Sequence, residues 1–163
     1  MRTLSQFLIL AVLSASSPAS LRAADLGTKR TLTLEIARAM AVAAEKKATA
    51  NGWAMVVAVL DDGGNLINLD RMDGSPMGSI EVAQKKARTA VRFKSPSKDF
   101  ADGMAKGSSA LLALDVLPFE GGIPIVANGQ VIGAIGVSGG TAEQDGQVAA
   151  AGINWFTSNV AKK

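Results

Sequence analysis

Two segments of the chain are almost entirely apolar, and they constrain the fold more than any other feature. Trp53–Leu60 (WAMVVAVL) and Gln130–Val137 (QVIGAIGV) both have the composition of strands, but neither alternates polar with apolar residues. A strand that is apolar on both faces needs cover on both faces. Either helices supply that cover on both sides, or a second copy of the chain covers one side. In a chain of 163 residues with 48% hydrophobic content, we expect the second arrangement, a homo-oligomer.

Turn signals place each apolar segment in a hairpin. Asp61-Asp62-Gly63-Gly64 predicts a turn into a second strand at Asn65–Met72, and Asn128-Gly129 predicts the turn that joins Ile123–Ala127 to Gln130–Val137. Cap and spacing signals predict helices from Thr33 to about Asn51, from Ser75-Pro76 to about Phe93, and from the capping box Thr141/Gln144 to about Val160, with short helical turns at Lys98–Met104 and Ser109–Leu117. The order helix, hairpin, helix, loop, hairpin, helix predicts one domain that mixes helices with hairpins.

The first 23 residues are typical of a secretory signal peptide. Arg2 gives a basic start, and the apolar run Phe7–Leu13 is too short to span a bilayer. Small residues follow, and we predict cleavage after Ala23, with Ala19 and Ala24 as alternatives. This prediction divides the chain into a signal peptide, 1–23, and a single domain, 24–163, that is exported to a periplasm.

Composition excludes several classes of function. Lys and Arg number 17 against 14 Asp and Glu, and aromatic residues make up 4% of the chain, so neither a basic patch nor stacking platforms for nucleic acid are expected. The chain has no Cys, His or Tyr. Disulfides, serine triads and zinc sites are therefore excluded, and we predict no metal site formed by the usual side chains. Chemistry must rest on carboxylates, Lys, Ser or Thr, Met sulfur, backbone groups or a bound cofactor.

Four segments resemble a known family in both order and spacing. They are VLDDGG at 59–64, RMDGSP at 71–76, FEGGIPI at 119–125 and IGAIGVSGGTAEQD at 132–145. Over residues 31–157 the chain resembles the GlcG/HbpS family of small haem-binding proteins, which includes the C-terminal domain of PduO-type proteins. The resemblance implies an α+β fold with a roughly five-stranded, largely antiparallel sheet flanked by helices, profilin-like in outline. It also implies homo-oligomers and haem binding, although characterised haem sites in the family use a histidine that this chain lacks.

The turn Ser138-Gly139-Gly140-Thr141 is the first candidate binding segment. It precedes the last predicted helix, where backbone N–H groups and the helix dipole favour a carboxylate or phosphate, and its glycines allow a ligand to approach the backbone. The alternative is a plain strand-to-helix turn, in which Glu143 and Asp145 complement the dipole and repel an anion.

The second candidate is the loop Phe119-Glu120-Gly121-Gly122. Its glycines predict room for a flat or small ligand, and Glu120 beside an aromatic residue is a candidate group for proton transfer. The alternative is a tight loop with an exposed glutamate.

A basic stripe on the helix after Ser75 is the third candidate. Glu81, Lys85, Arg88 and Arg92 are spaced by 4, 3 and 4 residues and therefore share one helix face. Such a stripe would hold haem propionates or an organic acid, and Lys85 is the second candidate base. The alternative is a solvated face with a Glu81–Lys85 ion pair.

Two methionines are the candidate iron ligands. Met72 and Met77 flank the turn at 73–76, and a thioether can ligate haem iron, usually opposite a histidine. Because the chain has no histidine, we expect a site ligated by methionine alone to be weak, so that haem would have at most a weak Met or Lys ligand.

Three functions are consistent with these features. The first is an exported protein that binds haem or a related anionic tetrapyrrole without histidine ligation. The second is a cofactor-independent isomerase or lyase acting on a small organic acid, with Glu120 or Lys85 as the base and helix-start amides stabilising an oxyanion. The third is a ligand-responsive sensory or scaffold module for a membrane partner.

Overall fold

A computed structural model describes residues 27–160 of the chain. The elements are α1 (Leu34–Ala50), β1 (Val56–Asp61), β2 (Leu66–Arg71), α2 (Ser79–Phe93), α3 (Ser97–Ala105), a 3₁₀ turn (Ser109–Ala113), β3 (Gly122–Ala127), β4 (Gln130–Ser138) and α4 (Ala142–Asn159). The predicted signal peptide lies outside the described residues. Among residues 27–160, no helix combines the length and hydropathy needed to cross a membrane.

The sheet is antiparallel throughout and has the strand order β2-β1-β4-β3. The predicted α+β class and both hairpins are confirmed. The sheet has four strands within the described residues, against the roughly five that the family resemblance implied. The stretch from 97 to 121, which precedes the second hairpin, forms α3, the 3₁₀ turn and loops, and it adds no strand.

Helices of the same chain cover both faces of the central strands. On one face, Val57 packs in a cluster with Met40 of α1 and Phe156 of α4. On the other, Val56 packs with Ala83 of α2. The requirement for two-sided cover is confirmed, but our expectation that a second copy supplies half of it is not met for these strands, because α2 fills that position.

Two of the three predicted helix starts are confirmed by their capping bonds. Ile36 N donates to Thr33 Oγ1, and Thr141 forms the full capping box with Gln144. The third is wrong, because α2 begins at Ser79 and not at Ser75. The Ser75 hydroxyl instead donates a 2.7 Å hydrogen bond to the carbonyl of Met72, which closes a turn ahead of the helix.

A pair of glycines sets how closely α2 approaches the sheet. Gly122 of β3 and Gly136 of β4 face each other in register. A Cβ on Gly136 would lie 2.0 Å from the carbonyl oxygen of Ala83, and one on Gly122 would lie 2.2 Å from that of Lys86. The helix backbone therefore rests directly on the two bare strands, a close approach that requires glycine. This contact brings the side chain of Lys86 into the interior.

Candidate functional site

A buried ion pair joins α2 to the start of α4. Lys86 Nζ lies 2.6 Å from Asp145 Oδ2, and each side chain is only 3% exposed. Lys86 Nζ also donates a 3.1 Å hydrogen bond to the carbonyl of Val137 in β4. Gly140 N donates to Asp145 Oδ1 at 3.0 Å. These bonds fix α2 to the junction between β4 and α4.

Burial also sets the acid–base character of this pair. It raises the pKa of the Asp145 carboxyl, and the hydrogen bonds from Lys86 and Gly140 oppose this rise only in part. A carboxyl with a raised pKa beside a lysine is typical of functional sites, although structural ion pairs show the same pattern. A functional role for this pair therefore requires space beside it for a ligand.

A pocket of about 460 Å³ opens beside the pair. This size is within the range of small-molecule sites. Both members of the ion pair line it, together with five further residues, which are Val82, Phe119, Ser138, Gly140 and Ala142. The fold therefore brings two of the sequence-predicted segments, the loop at 119–122 and the turn at 138–141, to one place. We call this the ion-pair pocket.

The loop at 119–122 is held by a buried serine that sequence reasoning missed. Ser97 is fully buried, and its hydroxyl donates to the carbonyl of Phe119 at 2.6 Å and accepts from Gly122 N at 2.9 Å. Phe119 is left 54% exposed and lines the pocket. Glu120 is half-buried, and its Oε2 lies 3.7 Å from Lys98 Nζ. Glu120 does not line the ion-pair pocket, but it packs against Gly146, where a Cβ would lie 2.2 Å from its Oε1.

The absence of side chains at Gly121 and Gly122 lets the backbone of this loop pass close to buried groups of the protein itself. Both residues are buried, and Gly121 has a φ of +124°. A Cβ on Gly121 would lie 3.1 Å from Lys86 Nζ and 3.0 Å from Asp145 Cβ. We expected these glycines to leave room for a ligand, but the backbone comes close to the ion pair instead.

The amides of the turn at 138–141 are largely occupied. Gly140 N donates to Asp145 Oδ1, and Thr141 N donates to Gln144 Oε1 at 3.0 Å. The chain's own carboxylate thus occupies the position where we expected an external anion, which corresponds to the plain capping alternative. The remaining role of Ser138 and Gly140 is to line the ion-pair pocket.

The basic stripe lines a separate groove of about 450 Å³. Lys85, Arg88 and Arg92 of α2 form one wall, and Asp115, Val116 and Leu117 contribute from the segment before β3, with Thr89 between them. Thr89 fixes that segment, because its Oγ1 accepts a 2.8 Å hydrogen bond from Leu117 N. We call this the basic groove. Lys85 and Arg88 are therefore brought together as predicted, but apart from Glu120 and the turn at 138–141.

Neither candidate methionine is placed at these sites. Met72 is partly buried against the main core. Met77 is 69% exposed in the turn before α2. Neither residue lines the basic groove or the ion-pair pocket. Residues 27–160 also contain no group of three acidic side chains that would hold a metal ion.

Lys86 and Asp145 were not among the sequence candidates, although one signal was present. Lys86 falls three residues after Ala83 and four before Ala90, so it lies on the apolar face of α2. A charged residue on such a face needs a buried partner. The partner itself lies 59 residues away in the sequence, which only the tertiary fold identifies.

Comparisons with known proteins agree on one relationship. A family model described as "Haem degrading protein HbpS-like" matches residues 32–154. The chain is 41% identical to protein GlcG of Escherichia coli (strain K12) over 112 residues, which covers 68% of this chain and 84% of GlcG. Its fold is similar to that of Klebsiella pneumoniae protein ORFY, with a TM-score of 0.76, 35% identity, and coverage of 83% of this chain and 97% of that one. A structure of a PduOC:heme complex is also similar, with a TM-score of 0.70, 30% identity, and coverage of 77% and 95%.

Proposed function

The chain belongs to the HbpS-like family, and we propose that it binds haem or a related anionic tetrapyrrole in the basic groove, without a protein ligand to the iron. The observation that carries this proposal is the composition of the groove. Three cations, Lys85, Arg88 and Arg92, line it with one carboxylate, Asp115, so the lining has a net charge of 3 − 1 = +2.

This charge suits the two propionates of a haem. Arg92 is engaged with Asp115 at 2.6 Å, which leaves Lys85 and Arg88 as the groups that would meet the propionates. Guanidinium and ammonium groups both form charge-assisted hydrogen bonds to carboxylates. The opposite wall contributes apolar surface from Val116 and Leu117, against which a flat ring would pack. The haem held by the similar PduOC structure supports this class of ligand.

The side chains that usually ligate haem iron are not present in the groove. The full sequence has no His, Cys or Tyr, and neither Met72 nor Met77 lines the groove. We therefore assign binding to the ring and the propionates. The ligand would be recognised by its periphery, so metal-free protoporphyrin IX should bind as well as haemin does.

Titration with haemin and with protoporphyrin IX tests this proposal. We expect saturable binding of both, with dissociation constants within about threefold of each other. Replacing Arg88 with Glu should weaken both by about tenfold or more, because it removes a charge-assisted bond worth about 1.5–3 kcal/mol and adds repulsion. The protein must carry no polyhistidine tag, which would supply the ligand that the chain lacks.

Lys46→Glu provides the matched control for this titration. Lys46 is an exposed residue of α1, on the opposite face of the sheet, and its replacement makes the same change in net charge. It should leave both dissociation constants unchanged. The proposal fails if haemin gives the same spectrum as with an inert protein, or if Arg88→Glu and Lys46→Glu bind alike.

We also propose that residues 1–23 direct export and are then removed. The support is the basic start, the apolar run Phe7–Leu13 and the small residues that follow. Expression of the full chain in a Gram-negative host should yield a periplasmic protein whose intact mass corresponds to a start at Ala24. Expression of the mature domain, residues 24–163 without the signal peptide, in the same host should leave the protein in the cytoplasm. A full-length mass in the cytoplasmic fraction of the first strain would contradict export.

A further inference from the structure

The ion-pair pocket is distinct from the basic groove and holds reactive groups that tetrapyrrole binding does not use. We propose that this pocket binds a small neutral carbonyl compound, and that Asp145 and Lys86 transfer a proton at the carbon next to its carbonyl group. The proposal does not depend on tetrapyrrole binding.

Both groups keep hydrogen-bonding capacity for a ligand. A lysine ammonium has three N–H donors, and Lys86 directs two of them to Asp145 Oδ2 and Val137 O. A carboxylate offers about four lone-pair positions. Asp145 receives hydrogen bonds from Lys86 and Gly140, which leaves lone-pair capacity for a ligand. The pair thus retains one donor beside one acceptor, and both side chains line the pocket.

The surroundings favour a neutral compound over a free anion. The pair itself carries no net charge. Glu120, which packs on Gly146 next to Asp145, adds a carboxylate that Lys98 offsets only in part, because Lys98 Nζ lies 3.7 Å from Glu120 and 3.1 Å from Asp102. The other walls come from the apolar residues Val82, Phe119 and Ala142, together with Ser138 and Gly140. A second carboxylate placed here would lie against Asp145 without an additional cation, whereas a ketone or aldehyde would meet apolar walls and one N–H group.

The step is balanced within the pair and its ligand. The ligand's carbonyl oxygen accepts the third N–H of Lys86. The Asp145 carboxylate takes a proton from the adjacent carbon, and the electron pair of the broken C–H bond forms the C=C bond of an enolate, whose oxygen Lys86 stabilises. Return of a proton from Asp145 to the same carbon exchanges it with solvent, and return to another position isomerises the ligand. Burial favours the protonated form of Asp145 that this step produces, because it raises the pKa of the carboxyl.

Exchange of carbon-bound hydrogen in D₂O measures this step directly. We would incubate the untagged protein with hydroxyacetone, butanone and cyclohexanone and follow the loss of the α-proton signals by ¹H NMR. For at least one of these neutral ketones we expect exchange about tenfold or more above a protein-free blank. Asp145→Asn, checked for folding by circular dichroism, should return the rate to the blank.

A second variant keeps the test valid if Asp145→Asn does not fold. Val82→Phe fills the pocket from a half-buried position of α2 and leaves the ion pair in place, so it should also abolish exchange. Val126→Phe makes the same replacement at an exposed position of β3 and should exchange at the wild-type rate. The proposal is overturned if none of the three ketones exchanges above the blank, or if Val82→Phe exchanges as fast as the wild type. Haemin titration of Val82→Phe separates the two proposals, because the basic groove remains intact in this variant.

Discussion

Replacing Asp145 with alanine is expected to lower the free energy of unfolding by about 3–5 kcal/mol. The change leaves the ammonium of Lys86 buried with only the carbonyl of Val137 as a partner. It also removes the acceptor for Gly140 N at the start of α4. Chemical denaturation followed by circular dichroism measures the loss, which is a large fraction of the stability of a domain this size.

Removing both charges of the ion pair should lower the free energy of unfolding by less than removing Asp145 alone. Burial already raises the pKa of Asp145 despite its bonds to Lys86 and Gly140, so the desolvation of the carboxylate exceeds what the ion pair returns. Lys86→Met keeps the length of the side chain without its charge. We therefore expect the double variant Lys86→Met/Asp145→Ala to be more stable than Asp145→Ala alone. A double-mutant cycle in which the two losses simply add would contradict this account of the pair.

The single variant Lys86→Met adds a pH dependence with a definite sign. A carboxyl whose pKa is raised by folding contributes stability below its unfolded pKa, and this contribution is lost as pH rises through the folded pKa. Without Lys86, the burial of Asp145 is uncompensated and its pKa rises further. Lys86→Met should therefore be less destabilised at pH 5 than at pH 8, relative to the wild type at the same pH. Denaturation curves at the two values measure this difference, and an equal loss at both would show that Asp145 stays charged in the variant.

The parts of the fold that could be predicted from the sequence are those set by neighbouring residues. The Asn128-Gly129 turn has positive φ at both positions, as its hairpin requires. Thr33 and Thr141 cap helices through bonds that span three residues. Ser75-Pro76 misled because a serine that can cap a helix can equally close a turn, and here its hydroxyl bonds to Met72. Local patterns do not distinguish these two uses.

The candidate site was less predictable because it depends on contacts between distant segments. On α2, helical spacing predicted that Lys85 and Arg88 share one face, and in the structure both residues line the basic groove. The next residue, Lys86, points to the interior and meets Asp145, and no local pattern links residues 59 positions apart. The turn at 138–141 lies at the start of α4 as predicted, but its Gly140 and Thr141 amides already donate to Asp145 and Gln144. The sequence therefore identifies backbone amides that could bind an anion, but only the fold shows that a carboxylate of the same chain already lies beside them.

Gly136 is the position where a single methyl group should do most damage to the fold. In β4, a Cβ at this residue would lie 2.0 Å from the carbonyl oxygen of Ala83 and 2.8 Å from the amide nitrogen of Ala87. Both contacts are with the backbone of α2, which cannot move aside as a flexible side chain can. Gly136→Ala should therefore lower the free energy of unfolding by about 3 kcal/mol, at the upper end of the usual cost of overpacking.

Gly78→Ala is the matched control, because it makes the same change at the N-cap of the same helix. A Cβ there meets nothing within 4 Å, and its φ of −62° suits alanine, so stability should change by no more than about 0.5 kcal/mol. Displacement of α2 in Gly136→Ala would also withdraw Lys86 from Asp145, since the same helix turn carries both contacts. The Gly136→Ala variant should thus lose ketone exchange even under conditions in which it remains folded. If Gly136→Ala were as stable as Gly78→Ala, the close contact of α2 with Gly136 would not be needed for the fold. The burial of the Lys86–Asp145 ion pair would then have to be explained by other contacts.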